Sequence, residues 1–297
     1  MNGIINILKP SGMTSHDVVS HIRKNFNLKK VGHTGTLDPN AAGVLPICIG
    51  KGTKLSQYIM EKTKNYRCEM IFGKITDTLD SYGQVVDEHE LKPIELNCIE
   101  DTIKNYIGEI VQIPPAYSAI KVNGVRLYEK ARKGEEIDDI PSRKVMIYDI
   151  KLIKYSYPRL MIDIICSSGT YIRSLVRDIA KDMDCLAYMS LLIRTKSGEF
   201  EIEDSITLEE LAIQGIEKNL LPISKVKLNM DDVVIKASDV VAYINGCELS
   251  TKGILTDVDN TISNKVRVFD DSHRFLGIGI MKQKESSTYL KSDSLFI

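Results

Sequence analysis

A chain of 297 residues, 43% hydrophobic, has the length of about two soluble domains and enough apolar material for a sizeable core. No apolar run reaches the ~18 residues that cross a bilayer. The start, Met1-Asn2-Gly3-Ile4-Ile5-Asn6, lacks the basic and apolar regions of a signal peptide, so a cytoplasmic protein without membrane contact is expected. The formal net charge of −1 hides an asymmetry: residues 1–64 hold nine Lys/Arg against three acids, which reads either as a phosphate-binding footprint or as a solvated face.

Gly3 to Leu8 reads as a strand that ends at Lys9-Pro10. Thr14, with Asp17 three residues on, is an N-terminal capping arrangement for a helix whose apolar face is Val18, Val19, Ile22 and Phe26. Residues 32–43, punctuated by Gly and Pro, are expected to be a loop. Val44–Ile49 is a brief apolar strand, followed by a short helix from about Lys54 to Met60. Partial alternation marks Tyr66–Phe72 as a strand, and a helix follows near Ile94–Tyr106. Val145–Tyr155 and Leu160–Cys166 form a strand pair joined at Tyr157-Pro158. Gly169-Thr170 opens a helix with Ile172, Leu175, Val176 and Ile179 on one face; Ala187–Thr195 returns as a strand, and Leu208–Ala212 sits in a short helix. Strands and helices mix without strict βαβ alternation, which predicts an α+β fold with a mixed or largely antiparallel sheet.

After about Lys227 the texture changes. Ser238–Ile244 is expected to be helical, and Ile254–Thr256, Lys265–Phe269, Phe275–Met281 and Thr288–Leu290 to be short strands. This divides the chain into residues 1–227 and a small β-rich module, 228–297, within the usual domain size range.

Common chemical motifs are excluded by spacing. Gly43 to Lys51 is too long for a phosphate loop, and Gly52 stands where Ser or Thr should follow the lysine. Gly277-Ile278-Gly279 lacks the third glycine of a dinucleotide fingerprint. No zinc-deaminase signature and no Gly-x-Ser-x-Gly elbow occur. The six cysteines, Cys48, Cys68, Cys98, Cys166, Cys185 and Cys247, form no CxxC pair and read as buried small hydrophobes. Neither a metal nor any other cofactor is expected.

What remains is the segment Gly32-His33-Thr34-Gly35-Thr36-Leu37-Asp38-Pro39-Asn40-Ala41-Ala42-Gly43-Val44-Leu45-Pro46, where one acid stands among uncharged residues. Pro39 biases Asp38 toward extended backbone, and the glycines admit a ligand or another chain segment at close range. On its own the segment reads better as a turn built on Asp-Pro, which is common.

The segment resembles the signature of the TruB family of pseudouridine synthases, G-H-T-G-[A/T]-L-D-P-x-A-x-G-x-L. Further stretches agree in the family's order: Lys9-Pro10 to Thr14-Ser15, Lys64-Asn65-Tyr66, Thr76-Asp77-Thr78-Leu79-Asp80 with Gly83, Gln112-Ile113-Pro114-Pro115-Ala116-Tyr117-Ser118-Ala119-Ile120-Lys121, Gly169-Thr170-Tyr171-Ile172-Arg173, and Leu192-Ile193-Arg194 with Gly198 and Phe200. The resemblance covers about residues 3–225, and the tail is more loosely similar to a PUA-like RNA-binding module. It implies a pseudouridine-synthase-like sheet and isomerisation of the T-loop uridine at the position the family name numbers 55, with tRNA as the partner. It implies no membrane, no obligate protein partner and a monomer. It makes Asp38 the catalytic aspartate. It places His33 in the loop that holds the target nucleotide out of its stack, Tyr66 against the flipped uracil, Arg173 on Asp38 with Tyr171 beside it, and Leu192 at the base pocket, although Leu191 is its neighbour. A non-catalytic RNA-folding protein and an enzyme acting on rRNA or guided sites are the rivals. The joint presence of Asp38, Tyr66 and Arg173 speaks against the first, and the short chain without basic extensions against the second.

Overall fold

The structure, a computed structural model, describes residues 1–297 apart from 91–92, 119, 123, 136–139, 257–263 and 285–286, and apart from the side chains of residues 121, 132 and 284. The main sheet contains, in chain order, β1 (Gly3–Lys9), β2 (Val31–His33), β3 (Ala42–Ile49), β4 (Lys64–Phe72), β5 (Gly108–Gln112), β6 (Arg143–Ser156), β7 (Arg159–Cys166), β8 (Ala187–Ser197), β9 (Phe200–Glu201) and β10 (Leu221–Pro222). Its order is β10-β1-β3-β8-β4-β7-β6-β5, with β2 paired to β3 and β9 to β8. All these pairings are antiparallel except β3 with β8, where only Ile193 pairs with Ala42 and Arg194 with Gly43. The expected α+β class with a mixed sheet is therefore what the chain adopts.

The apolar pattern explains the layers. In β1 and β3 nearly every residue is apolar because both faces are covered. Ile5, Ile7, Leu45 and Ile47 join Val18, Val19 and Ile22 of α1 (Ser15–Asn25) in one core, while Ile4, Val44 and Cys48 face the opposite way. Strand β4 alternates instead. Tyr66, Cys68, Met70 and Phe72 point inward, and Arg67 on the outer face pairs with Asp163 across the ladder at 2.7 Å. The inner face is closed by α2 (Leu96–Lys104) and α3 (Ile172–Asp182), whose Ile172, Leu175, Val176 and Ile179 are all buried.

Thr14 caps α1 as the sequence predicts: its Oγ1 accepts from Asp17 N at 3.0 Å, and Asp17 Oδ2 accepts from Thr14 N at 2.9 Å. The predicted loop 32–43 is partly strand, because Val31–His33 pair with Ile47–Ile49 and β3 begins at Ala42. Ladder pairing on the edge of β3 overrides the glycine signal there. Gly43 is where β3 meets β8. It has φ +115°, and a Cβ would lie 2.2 Å from the Arg194 carbonyl oxygen, so no larger residue permits this parallel contact.

A second sheet follows, with β11 (Asp232–Ile235), β12 (Leu249–Ser250), β13 (Lys265–Asp270), β14 (Phe275–Lys284) and β15 (Ser287–Leu295) in the order β11-β13-β14-β15-β12. The tail is β-rich as expected. Ile254 makes only an isolated bridge to Ile235 and does not begin a strand. Ile278 and Phe296 of this part share a core with Ile4, Val44, Leu55 and Tyr58 of the first.

Candidate active site

The Asp38 loop is built by stapling two segments together. Buried Lys9, at the end of β1, donates through Nζ to the carbonyls of Pro10 (2.8 Å), Met13 (2.5 Å) and Pro39 (3.0 Å). Gly12 N donates to the Pro39 carbonyl at 2.9 Å, and Leu37 N donates to Ser15 Oγ at 2.9 Å. The Lys9-to-Ser15 stretch thus fixes the backbone on both sides of Asp38. Burial pushes the Lys9 ammonium down to about 8, and the Asp38 carboxylate opposes that push.

Arg173, one residue inside the N-terminus of α3, reaches the same place. Its Nε lies 2.8 Å from Asp38 Oδ2, and Nη2 donates to Asp38 Oδ1 at 3.0 Å. Nη1 donates to the Thr78 carbonyl at 2.9 Å, and Nη2 also donates to the Tyr117 carbonyl at 3.0 Å. The Arg173 side chain is 6% exposed and that of Asp38 33%. The guanidinium is therefore an internal clamp, and the carboxylate is the part that solvent or a ligand can reach. Two motif stretches, Thr76–Gly83 and Gln112–Lys121, supply the Thr78 and Tyr117 carbonyls that accept from this clamp; Ala119 and the Lys121 side chain lie outside the described residues.

Tyr66 on β4 and Arg194 on β8 are cross-strand partners. Arg194, 1% exposed, donates through Nε to the Val44 carbonyl at 2.7 Å and through Nη2 to the Gly35 carbonyl at 3.3 Å, with its charge beside the Tyr66 phenol. Burial raises the Tyr66 phenol above its ordinary range; the Arg194 charge opposes this and Asp38 adds to it. Tyr66 and Leu192 belong to one apolar cluster with Leu37 and Ala41, the neighbours of Asp38. Leu192 is 6% exposed and Leu191 39%, so the strand's alternation turns Leu192, not Leu191, toward this cluster. His33 Nδ1 accepts from Gly35 N at 3.3 Å, and burial, followed by the charges of Arg194 and His16, holds the imidazole below its ordinary value.

Tyr171 caps α3 with its backbone. Its N donates to Gln112 Oε1 at 2.7 Å and its carbonyl accepts from Gln112 Nε2 at 3.0 Å. Its ring lies 5.2 Å from the Arg143 guanidinium. Of the residues singled out in the sequence, Asp38 and Arg173 touch directly, Tyr66 and Leu192 line the same cluster, His33 joins through Gly35 and Arg194, and Tyr171 is tied in through Gln112.

Sequence reasoning left Lys9, Gln112 and Arg194 outside the site. Each carries a charged or amide group into the interior, a signal that only burial reveals. The basic segment also shrinks: Lys9 and Lys64 are buried and Lys51 and Lys62 half-buried, Lys62 donating to the Leu228 carbonyl, which leaves Arg23, Lys24, Lys29, Lys30 and Lys54 exposed, Lys54 donating to the Leu295 carbonyl. Among the described residues no His/Cys/Asp/Glu group could hold a metal ion, and no helix is long and apolar enough to cross a membrane.

Comparison with known proteins supplies the kinship. Residues 23–172 match the TruB family pseudouridylate synthase N-terminal domain, and residues 173–226 the tRNA pseudouridylate synthase B C-terminal domain. The chain is 46% identical over 281 residues to tRNA pseudouridine synthase B of Caldanaerobacter subterraneus subsp. tengcongensis, covering 94% of this chain and 95% of that one. It is 43% identical over 302 residues to the protein of that name from Clostridioides difficile, covering 100% of both. A solved Cbf5-Nop10-Gar1 complex holds a chain with a TM-score of 0.76 and 28% identity, covering 99% of this chain and 85% of that one. An H/ACA RNP bound to a substrate RNA containing 2'-deoxyuridine gives a TM-score of 0.75 at 26% identity, again covering 99% and 85%. With the two family domains matched over residues 23–226 and relatives above 40% identity over 94% and 100% of the chain, the chain belongs to the TruB family of pseudouridylate synthases.

Proposed function

We propose that the protein isomerises the T-loop uridine at position 55 of tRNA to pseudouridine, with Asp38 as its catalytic group. The observation that carries this reading is the Asp38–Arg173 pair: a carboxylate a third exposed, held from behind by a buried guanidinium at 2.8 Å. An RNA-folding protein has no use for an acid aimed at its ligand.

The reaction breaks the N1–C1′ bond, turns the base and joins C5 to C1′. The proton on C5 leaves and N1 gains one, so no external oxidant or reductant enters. Addition of Asp38 to C6, its attack on C1′, and a glycal route that begins with loss of the 2′ proton all need an ionised carboxylate at the base–sugar junction. In this reading Tyr66 stacks on the flipped uracil, Leu192 closes the pocket, His33 holds the loop that keeps the nucleotide out, Arg173 orients Asp38, and Tyr171 lines the wall beside it. Base–aromatic stacking of this kind is worth about 1–3 kcal/mol, comparable to the cost of extruding a loop base.

Residues 1–227 serve as the catalytic domain and 228–297 as a PUA-like RNA-binding domain. The protein works in the cytoplasm as a monomer on free tRNA, without a guide. Near-complete mutual coverage with proteins named tRNA pseudouridine synthase B supports that choice over a guided enzyme. Incubation with an unmodified tRNA transcript, followed by site-mapped pseudouridine assay, tests it. Pseudouridine at position 55 without added RNA or protein is the expected result. None, or modification elsewhere, contradicts it.

A further inference from the structure

Tyr82 is the most exposed aromatic side chain among the described residues, 66% exposed, ahead of Tyr148 at 53% and Tyr157 at 37%. It stands at the tip of the Thr76–Gly83 loop, and that loop is rigid. Thr76 Oγ1 donates to the Asp80 carbonyl at 2.6 Å, and Thr78 Oγ1 and Tyr82 N both donate to Asp80 Oδ1, at 2.7 and 3.0 Å. Gly83 seals the turn, since a Cβ there would lie 2.3 Å from both Asp77 Oδ1 and Thr78 Oγ1. Leu79 takes a left-handed φ of +62°, a conformation that a side chain adopts only when its surroundings impose it. The loop is hydrogen-bonded on both sides to Met189 of β8: Met189 N donates to the Leu79 carbonyl and Ser81 N donates to the Met189 carbonyl, both at 3.0 Å.

The same loop gives its Thr78 carbonyl to Arg173, and Arg173 holds Asp38. The root of the loop is thus separated from the catalytic carboxylate by a single guanidinium, and Tyr82 projects into solvent four residues further on. A large amphipathic ring on a pre-ordered loop loses little entropy on binding, and every nucleobase offers it a π-face.

We propose that Tyr82 is a second stacking platform, which holds an unpaired nucleobase of the RNA substrate next to the target uridine and sets affinity for the extruded loop. The proposal rests on the reading of Asp38 as the centre of an RNA-modifying site.

The test uses the full chain with Tyr82→Ala, Tyr82→Phe and Tyr82→Trp, an unmodified tRNA transcript, and a T-arm stem-loop carrying 2-aminopurine beside the target uridine. Tyr82→Ala should raise KM about tenfold, as loss of one stacked base does, with the loss carried in KM and not in kcat. Phe and Trp should restore KM, and 2-aminopurine quenching on binding should be present with Tyr, Phe or Trp and lost with Ala. Thermal melting checks that the exposed substitution leaves the fold intact. Unchanged KM and quenching in Tyr82→Ala would overturn the proposal and turn Tyr82 toward a protein partner. Equal losses in Ala, Phe and Trp would overturn it by making the hydroxyl or the loop the cause. A wild-type protein that quenches 2-aminopurine yet forms no pseudouridine would instead strike at the catalytic reading and leave the stacking role standing.

Discussion

Arg173 is the deeper member of its pair with Asp38, 6% against 33% exposed, and its guanidinium serves three acceptors at once: Asp38 and the Thr78 and Tyr117 carbonyls. The arginine is thus fixed by the backbone of two loops before it meets the carboxylate. Lysine lacks the planar fork by which Arg173 meets both carboxylate oxygens of Asp38 while holding the two carbonyls. Arg173→Lys should lower stability by about 2–3 kcal/mol, the low end for breaking a buried pair because Asp38 is partly solvated, and should reduce kcat far more than tRNA affinity. Single-turnover rates with parallel melting curves check this. Wild-type kcat in the lysine variant would mean that Asp38 needs no orienting fork.

Tyr66 carries two separable groups. Its ring belongs to the cluster of Leu37, Ala41 and Leu192, and its hydroxyl lies beside the charge of the buried Arg194. Tyr66→Phe should lower stability by about 1–3 kcal/mol, the cost of removing a polar neighbour from a buried charged group, while keeping measurable turnover. Tyr66→Leu should remove turnover as well. Equal, severe kinetic losses in both would assign the chemistry to the hydroxyl.

Lys64, buried at the start of β4, is pushed down to about 7 by its burial, with the charge of Arg194 as the next cause. An unfolded lysine titrates near 10.5. Between about pH 7 and 10.5 the unfolded chain therefore binds more protons than the fold at this site, and stability rises with pH; below about 7 both states are protonated and the slope vanishes. Lys9, pushed to about 8, adds a smaller share of the rise between pH 7 and 8, so the difference between a Lys64 variant and wild type, not the slope itself, isolates Lys64. Lys64→Met should flatten the rise there by up to about 1 kcal/mol per pH unit. Calorimetric melting at pH 7.0 and 8.0 reads it, and parallel slopes for variant and wild type would refute the assignment.

Phe296 closes a core that neither sheet completes alone. It packs with Ile4, Val44, Leu55 and Tyr58 from the first part and with Ile278 from the second, and lies 5.4 Å from the ring of Phe275. Phe296→Ala should cost about 3 kcal/mol and lower a single cooperative transition. A chain ended at Lys227 should stay folded but melt at a lower temperature. An unchanged midpoint in Phe296→Ala would show that the two parts are thermodynamically independent.

Much of this was readable in the sequence. Thr14 and Asp17 announce the cap of α1, the alternation in Tyr66–Phe72 gives β4, and the family resemblance pairs Arg173 with Asp38, which the structure brings into contact. What could not be read depends on partners distant in the chain. Val31–His33 form a strand only because β3 offers them an edge, and Asp232–Ile235 only because β13 lies alongside. Lys9 reads as one of a basic segment and Arg194 as a structural salt-bridge partner until the fold surrounds both with backbone carbonyls. The choice between Leu191 and Leu192 needed the register of β8 on β4, which includes a shift between Met189 and Leu191 that no periodicity shows.

The central claim, that Asp38 carries the chemistry, is tested most directly by Asp38→Asn. Asparagine keeps the size and shape of the side chain and also suits an Asp-Pro type of turn, but it has neither charge nor nucleophilicity. Single-turnover pseudouridine formation on an unmodified tRNA transcript should become undetectable, while tRNA affinity stays within about a few-fold because phosphate contacts elsewhere supply most of it. Substantial pseudouridine formation by the asparagine variant would contradict the account.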